Sequence, residues 1–120
     1  MDDQEPILKM VDRMLKRMGY DVELAKNGEQ ATQLFQHAFQ SDHPFDLAIL
    51  DLTIPGGMGG AETIAELIKI DPKVKALVSS GYSNDPIMAN FKEYGFCGVV
   101  PKPYSKNELS EVLNEFLFVQ

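Results

Sequence analysis

Read for the spacing of its apolar positions, the chain moves between two rhythms. From about Glu5 to Met18, residues Ile7, Leu8, Val11, Met14, Leu15 and Met18 recur at three- and four-residue intervals. That spacing lays one apolar stripe along a helix, and Gly19 just beyond suits the residue that ends one. From Tyr20 to Ala25 the rhythm shortens: Val22 and Leu24 alternate with charged neighbours, which predicts a strand. Asn27-Gly28 turns the chain into a second helix, about Gly28 to Gln40, with Ala31, Leu34, Phe35 and Ala38 inward. The loop Ser41 to Pro44 then leads into an unbroken apolar run, Leu47 to Leu50, which stops at Asp51. Such a run bounded by turn signals suits a parallel strand buried on both faces.

The second half repeats the alternation. Gly60 to Ile70 predicts a helix with Ala61, Ile64, Leu67 and Ile68 inward, stopped by Asp71-Pro72. Lys75 to Ser79 predicts a short strand. Ser83-Asn84-Asp85-Pro86 starts a helix that runs to Tyr94 and ends at Gly95, with Asp85 as cap. Phe96 to Val100 predicts the last strand, and Ser105-Lys106-Asn107-Glu108 a capping box opening a final helix to about Leu117. No linker or repeat divides residues 1–120, so one domain is expected. A helix followed by four strand–helix units predicts an α/β fold, a parallel sheet with helices on both faces. The first helix alone lacks a strand in front of it; only Met1-Asp2-Asp3-Gln4 precedes it.

Composition narrows the function. Eleven basic against 18 acidic residues leave a net charge of −7, a surface that repels phosphate backbones, so direct nucleic-acid binding is not expected. No apolar run approaches the roughly 18 residues of a membrane span, and no signal peptide is visible. The single Cys97 has no partner for an internal disulfide; a buried, reduced thiol and a cytoplasmic location are expected. Two histidines and one cysteine argue against a structural zinc site.

The chemistry gathers at strand ends. Asp2 and Asp3 stand just before the first helix, Asp51 ends one strand, Ser80 the next and Lys102 the last. In a parallel sheet those ends share one edge, where open α/β sheets place ligands. Packed carboxylates need a cation, and a small all-oxygen cluster suits Mg²⁺. Lys102 offers a charge and Ser80 a hydroxyl to phosphoryl oxygens, with Asp51 as a nucleophile. Taken singly, each has a plainer reading: a solvated acidic tail, a loop cap, turn chemistry before Gly81, a surface lysine.

With Asp2-Asp3, Asp51-Leu-Thr-Ile-Pro55, Ser80-Gly81 and Lys102-Pro103 in that order, the sequence resembles a response-regulator receiver domain of bacterial two-component signalling over nearly its whole length. Gly56-Gly57-Met58-Gly59-Gly60 and Ser79-Ser80-Gly81-Tyr82-Ser83 are most similar to receivers of hybrid sensor histidine kinases. The resemblance implies a flavodoxin-like (βα)5 fold with strand order 2-1-3-4-5. It implies Asp51 as phosphoacceptor, taking a phosphoryl group from a histidine kinase or phosphotransfer domain, with Lys102 and the switch hydroxyl Ser80 beside it. Mg²⁺ would be held by Asp2, Asp3, Asp51 and the backbone carbonyl of Thr53, with Asp3 the more direct of the acidic pair. Lys102-Pro103 would be cis. An isolated domain of this kind is a self-phosphorylating phosphoacceptor, not an enzyme in its own right.

Three departures stand against the family pattern. Val99 holds the position of the switch aromatic, and Tyr104 occupies a site that is commonly aromatic without replacing it. The glycine-rich turn leaves open whether Gly59 or Gly60 matches the usual glycine. The family's first, central strand is missing, as in a shortened chain or one with a mis-assigned start. Tyr20–Ala25 would then lose its neighbour, and Asp2 and Asp3 would be displaced. A swapped segment from another chain, giving a dimer or strand-swapped oligomer, direct pairing of the flanking strands, or the tail Phe116 to Val119 could close the gap. Two other functions compete: a pseudo-receiver that only binds proteins, and an aspartyl-phosphate hydrolase. The hydrolase needs a second aspartate where Thr53 stands.

Overall fold

The apolar runs that end in Asp51, Ser80 and Pro101 pair with one another. In the computed structural model, which describes residues 1–82 and 85–117, strands β1 (Ala48–Asp51), β2 (Ala76–Ser80) and β3 (Gly98–Pro101) form a parallel sheet in the order β1-β2-β3. Helices α1 (Glu5–Arg17), α2 (Gly28–Gln40), α3 (Gly60–Ile70), α4 (Pro86–Ala89), α5 (Phe91–Tyr94) and α6 (Lys106–Leu117) surround it. The middle strand explains its own sequence: Ala76, Leu77 and Val78 are each 0 % exposed, because helices cover both of its faces. Leu50, Ala76 and Val78 pack with Phe35 of α2 and with Ile64 and Leu67 of α3. Leu77 and Val100 pack on the opposite face with Leu109 and Leu113 of α6, joined by Met14 and Leu15 of α1.

Local signals fix the helix ends. Asn27 accepts the N–H of Gln30 at 2.9 Å and starts α2. Asp85 accepts the N–H of Ile87 at 3.0 Å, as its cap role requires. Ser105 accepts the N–H of Glu108 at 3.0 Å, which is one half of the expected capping box. Gly19, at φ +95, follows α1 in the left-handed region.

Both glycines at the start of α3 are required by close backbone. A Cβ on Gly59 would meet the carbonyl oxygen of Leu52 at 2.5 Å, and one on Gly60 the carbonyl oxygen of Asp51 at 2.9 Å. Neither neighbour is a side chain that could swing away. Gly60→Ala should therefore push the end of β1 outward and cost about 1–3 kcal/mol, read as a lower urea midpoint at unchanged slope.

Several expectations are corrected. Tyr20–Ala25 is not a strand; it joins no ladder. A strand is defined by its neighbour, and where a central strand would lie there is instead a cleft of about 930 Å³. Leu8, Val11, Val22, Leu34, Leu47 and Ile49 line it, so the flanking segments do not close on each other. Of the tail Phe116 to Val119, Phe116 and Leu117 belong to α6, and the remainder lies outside the described residues. The helix expected up to Tyr94 is two short ones, α4 and α5, with Asn90 between them outside the helical range at φ −115, ψ 35. Asp2 and Asp3 are not displaced. The Met1 amino group donates to the Ile49 carbonyl at 2.8 Å, the Asp51 N–H to the Met1 carbonyl at 3.0 Å, and the Asp2 N–H to the Ala25 carbonyl at 3.0 Å. Met1 and Asp2 thus bridge β1 and the Tyr20–Ala25 segment at the mouth of the cleft. Ser83, Asn84 and Val119 lie outside the described residues.

Candidate phosphoryl and metal site

Parallel register brings the sequence-predicted residues to one edge. Asp51 is the last residue of β1 and faces Ser79 across the ladder; Ser80 ends β2 opposite Pro101, and Lys102 follows β3. The Lys102 N–H donates to the Ser80 carbonyl at 3.0 Å, which carries the β2–β3 pairing one residue further. The lysine side chain then reaches across the sheet edge. Its ammonium lies 2.6 Å from Asp2 Oδ2 and 3.1 Å from Asp51 Oδ2. Asp2 serves two neighbours, since its other oxygen, Oδ1, accepts the N–H of Gln4 at 2.9 Å just ahead of α1. Oxygens of Asp2, Asp3 and Asp51 all lie within 4.8 Å of one another.

The acidic pair divides its labour. Asp2 is buried at 3 % exposure and tied to Lys102, whereas Asp3 is exposed. Of the two, Asp3 is therefore the one free to turn an oxygen toward an incoming ion. Thr53 is exposed two residues past Asp51, and its carbonyl accepts no hydrogen bond among the described residues. Ser80 is buried and its hydroxyl oxygen accepts the N–H of Tyr82 at 3.0 Å, which leaves the O–H free to donate. Lys102-Pro103 is cis, as the resemblance implies.

Electrostatics describe a site short of positive charge. Burial raises the Asp51 carboxyl above its ordinary 3.8; Lys102 pulls it back and Asp2 and Asp3 push it up again, with a net rise. Burial alone would lower Lys102, but its hydrogen bond to Asp2 and the charge of Asp51 more than offset this and raise it above 10.5. The Met1 amino group is lowered to about 6, burial outweighing the attraction of Asp2 and Asp51. Three carboxylates facing one lysine are a donor set that a hard divalent cation fits.

Two participants are not among the residues expected from the sequence. Met1 supplies main-chain pairing rather than a side chain. Ser79, the direct partner of Asp51 in the sheet, lies 2.5 Å through its hydroxyl from the hydroxyl of Tyr104. The alternation of β2 could have pointed to Ser79, since a serine on the Leu77 face must find a polar partner inside an apolar layer.

The chain is similar to known proteins. Residues 1–114 match the family model described as the response regulator receiver domain. The chain is 27 % identical over 117 residues to sporulation initiation phosphotransferase F of Bacillus subtilis, covering 98 % of this chain and 90 % of that one. It is equally 27 % identical to the sensor kinase CckA of Brucella abortus, of which it spans only 12 %. Its fold matches the CheX-CheY complex of Borrelia burgdorferi, a structure with BeF3 and Mg, at a TM-score of 0.88 and 18 % identity, covering 99 % of this chain and 86 % of that chain. It also matches the receiver domain of a Pseudomonas aeruginosa sensor histidine kinase whose active-site cleft holds magnesium. There the TM-score is 0.81 at 20 % identity, with 97 % of this chain and 92 % of that chain covered.

Proposed function

Because this chain belongs to the response-regulator receiver domains, we propose that Asp51 accepts a phosphoryl group from the phosphohistidine of a kinase or phosphotransfer domain. The observation that carries the reading is the Lys102 ammonium held between Asp2 and Asp51 at the ends of three parallel strands. A carboxylate oxygen of Asp51 attacks phosphorus, the P–N bond to the donor imidazole breaks, and that nitrogen keeps the electron pair and takes up a proton. Mg²⁺, held by Asp2, Asp3, Asp51 and the Thr53 carbonyl, would supply positive charge to the phosphoryl oxygens. Lys102 neutralises a further oxygen and prevents the acidic cluster from repelling the incoming group. The free O–H of Ser80 donates to the product phosphate, and the loop from Gly81 onward is drawn with it. With Val99 at the position of the switch aromatic, a classical aromatic rotamer switch is absent or altered.

The chain would thus act as one station of a phosphorelay, within a hybrid histidine kinase or alone. Among the described residues no helix is long and apolar enough to cross a membrane. The test is incubation with acetyl phosphate and Mg²⁺, followed by intact mass. One added phosphoryl group, removed by hydroxylamine and not formed in excess chelator, is expected. An unmodified protein that still binds Mg²⁺ would overturn the phosphoacceptor reading and leave a protein-binding pseudo-receiver.

A further inference from the structure

Ser79 and Tyr104 form a polar contact inside an otherwise apolar layer. Ser79 is 0 % exposed, and strand alternation turns its side chain to the same face as Leu77, the face that α6 covers. Tyr104 lies against that layer, two residues beyond Lys102 and one before Ser105, the residue whose hydroxyl caps α6. Burial raises the Tyr104 hydroxyl above its ordinary 10.0, only partly offset by the bond to Ser79, so it stays protonated through the neutral range.

The segment after β3 is therefore fastened to the end of β2 twice. The main chain of Lys102 is tied to Ser80, and the side chain of Tyr104 to Ser79. Between the two ties stands the lysine that must reach Asp51. We propose that Tyr104 is a positioning residue for Lys102: its hydroxyl bond to Ser79 sets the 102–104 segment against β2 and so keeps the ammonium on Asp51. A lysine is a point charge on a flexible four-carbon stem, with no fork geometry of its own to hold it in place. Its aim must come from the backbone beneath it. Breaking the bond leaves the fully buried Ser79 hydroxyl unsatisfied, while Tyr104 is only half-buried. Asp51 and Tyr104 are thereby linked through consecutive neighbours, Ser79 across the ladder and Lys102 along the chain.

The activity arm of the test rests on the phosphoacceptor reading. Tyr104→Phe keeps the ring and removes the hydroxyl; Ser79→Ala removes the other end. Each should slow phosphorylation by acetyl phosphate at saturating Mg²⁺ by about tenfold, with Mg²⁺ affinity unchanged, and the double variant should be no slower than either. A second arm needs no phosphorylation. The Lys102 ammonium protons, observed by NMR in the phosphate-free protein, should exchange slowly in the wild type and lose their signal in both variants. Folded variants with wild-type rates and a retained ammonium signal would overturn the proposal, as would strictly additive losses in the double variant. A wild type inert to acetyl phosphate would remove the phosphoacceptor reading alone, and the ammonium signal would then decide this one.

Discussion

Asp51→Asn is expected to reduce phosphorylation by acetyl phosphate to background, a fall of at least about 10³-fold, or roughly 4 kcal/mol of lost transition-state stabilisation. The amide is nearly the shape of the carboxylate, so the packing at the end of β1 is preserved. What disappears is the nucleophile, since a neutral amide oxygen is a poor donor of an electron pair to phosphorus. The fold should survive. Lys102 keeps Asp2 as a partner at 2.6 Å, and the buried repulsion of Asp51 with Asp2 and Asp3 is relieved. Unchanged circular dichroism and a urea midpoint no lower than that of the wild type, beside absent modification, would separate chemistry from stability. A modified Asp51→Asn protein would move the phosphorylation site elsewhere.

Lys102→Ala should have the largest effect on stability, because it takes the shared cation away from two carboxylates at once. The three side chains are 15 %, 4 % and 7 % exposed for Lys102, Asp2 and Asp51, so water does little to replace it. Removing one partner of a buried pair costs about 3–5 kcal/mol at neutral pH. The pH dependence carries a definite sign. Asp51 already has a folded pKa above its ordinary 3.8, so its contribution to stability is greatest below that value and is lost as pH rises through the folded pKa. Without Lys102 that pKa rises further, and the loss extends to higher pH. Lys102 is itself raised above 10.5, so its stabilisation is complete below that value and disappears as pH rises through its folded pKa. The gap between wild type and variant should therefore be widest near neutrality and narrow as falling pH protonates Asp51. Urea melts across pH 4 to 9 measure it, and a constant gap would refute the assignment. Mg²⁺ should raise the melting temperature of the variant more than that of the wild type, because it replaces the missing charge.

Much of this site is written in the chain. Asp51, Ser80 and Lys102 each end or follow an apolar run, and parallel pairing of such runs can place their ends only on one edge. The resemblance named the same residues. The division between Asp2 and Asp3 is not legible from the sequence, because it depends on which carboxylate the Lys102 ammonium meets once β3 is docked. Ser79 is legible only in part: strand alternation sets it apart from Ser80, but the layer it faces and its Tyr104 partner are decided by packing.

The contrast is clearest between the helices and the Tyr20–Ala25 segment. Gly28–Gln40 and Gly60–Ile70 form as their spacing predicts, since a helix makes its hydrogen bonds within itself and its apolar stripe shows in any window. Val22 and Leu24 carry an equally regular alternation, yet no strand forms there. A strand's hydrogen bonds belong half to another segment, and beside this one lies a cleft that, among the described residues, Met1 and Asp2 bridge at its mouth. By itself the sequence determined which residues could be helical, which runs were apolar enough to be buried, and which polar side chains those runs carry to the sheet edge. Only the tertiary structure decided which strands have partners, which acid holds the lysine, and which hydroxyl holds the lysine's backbone, because each of those is a contact between residues far apart in the chain.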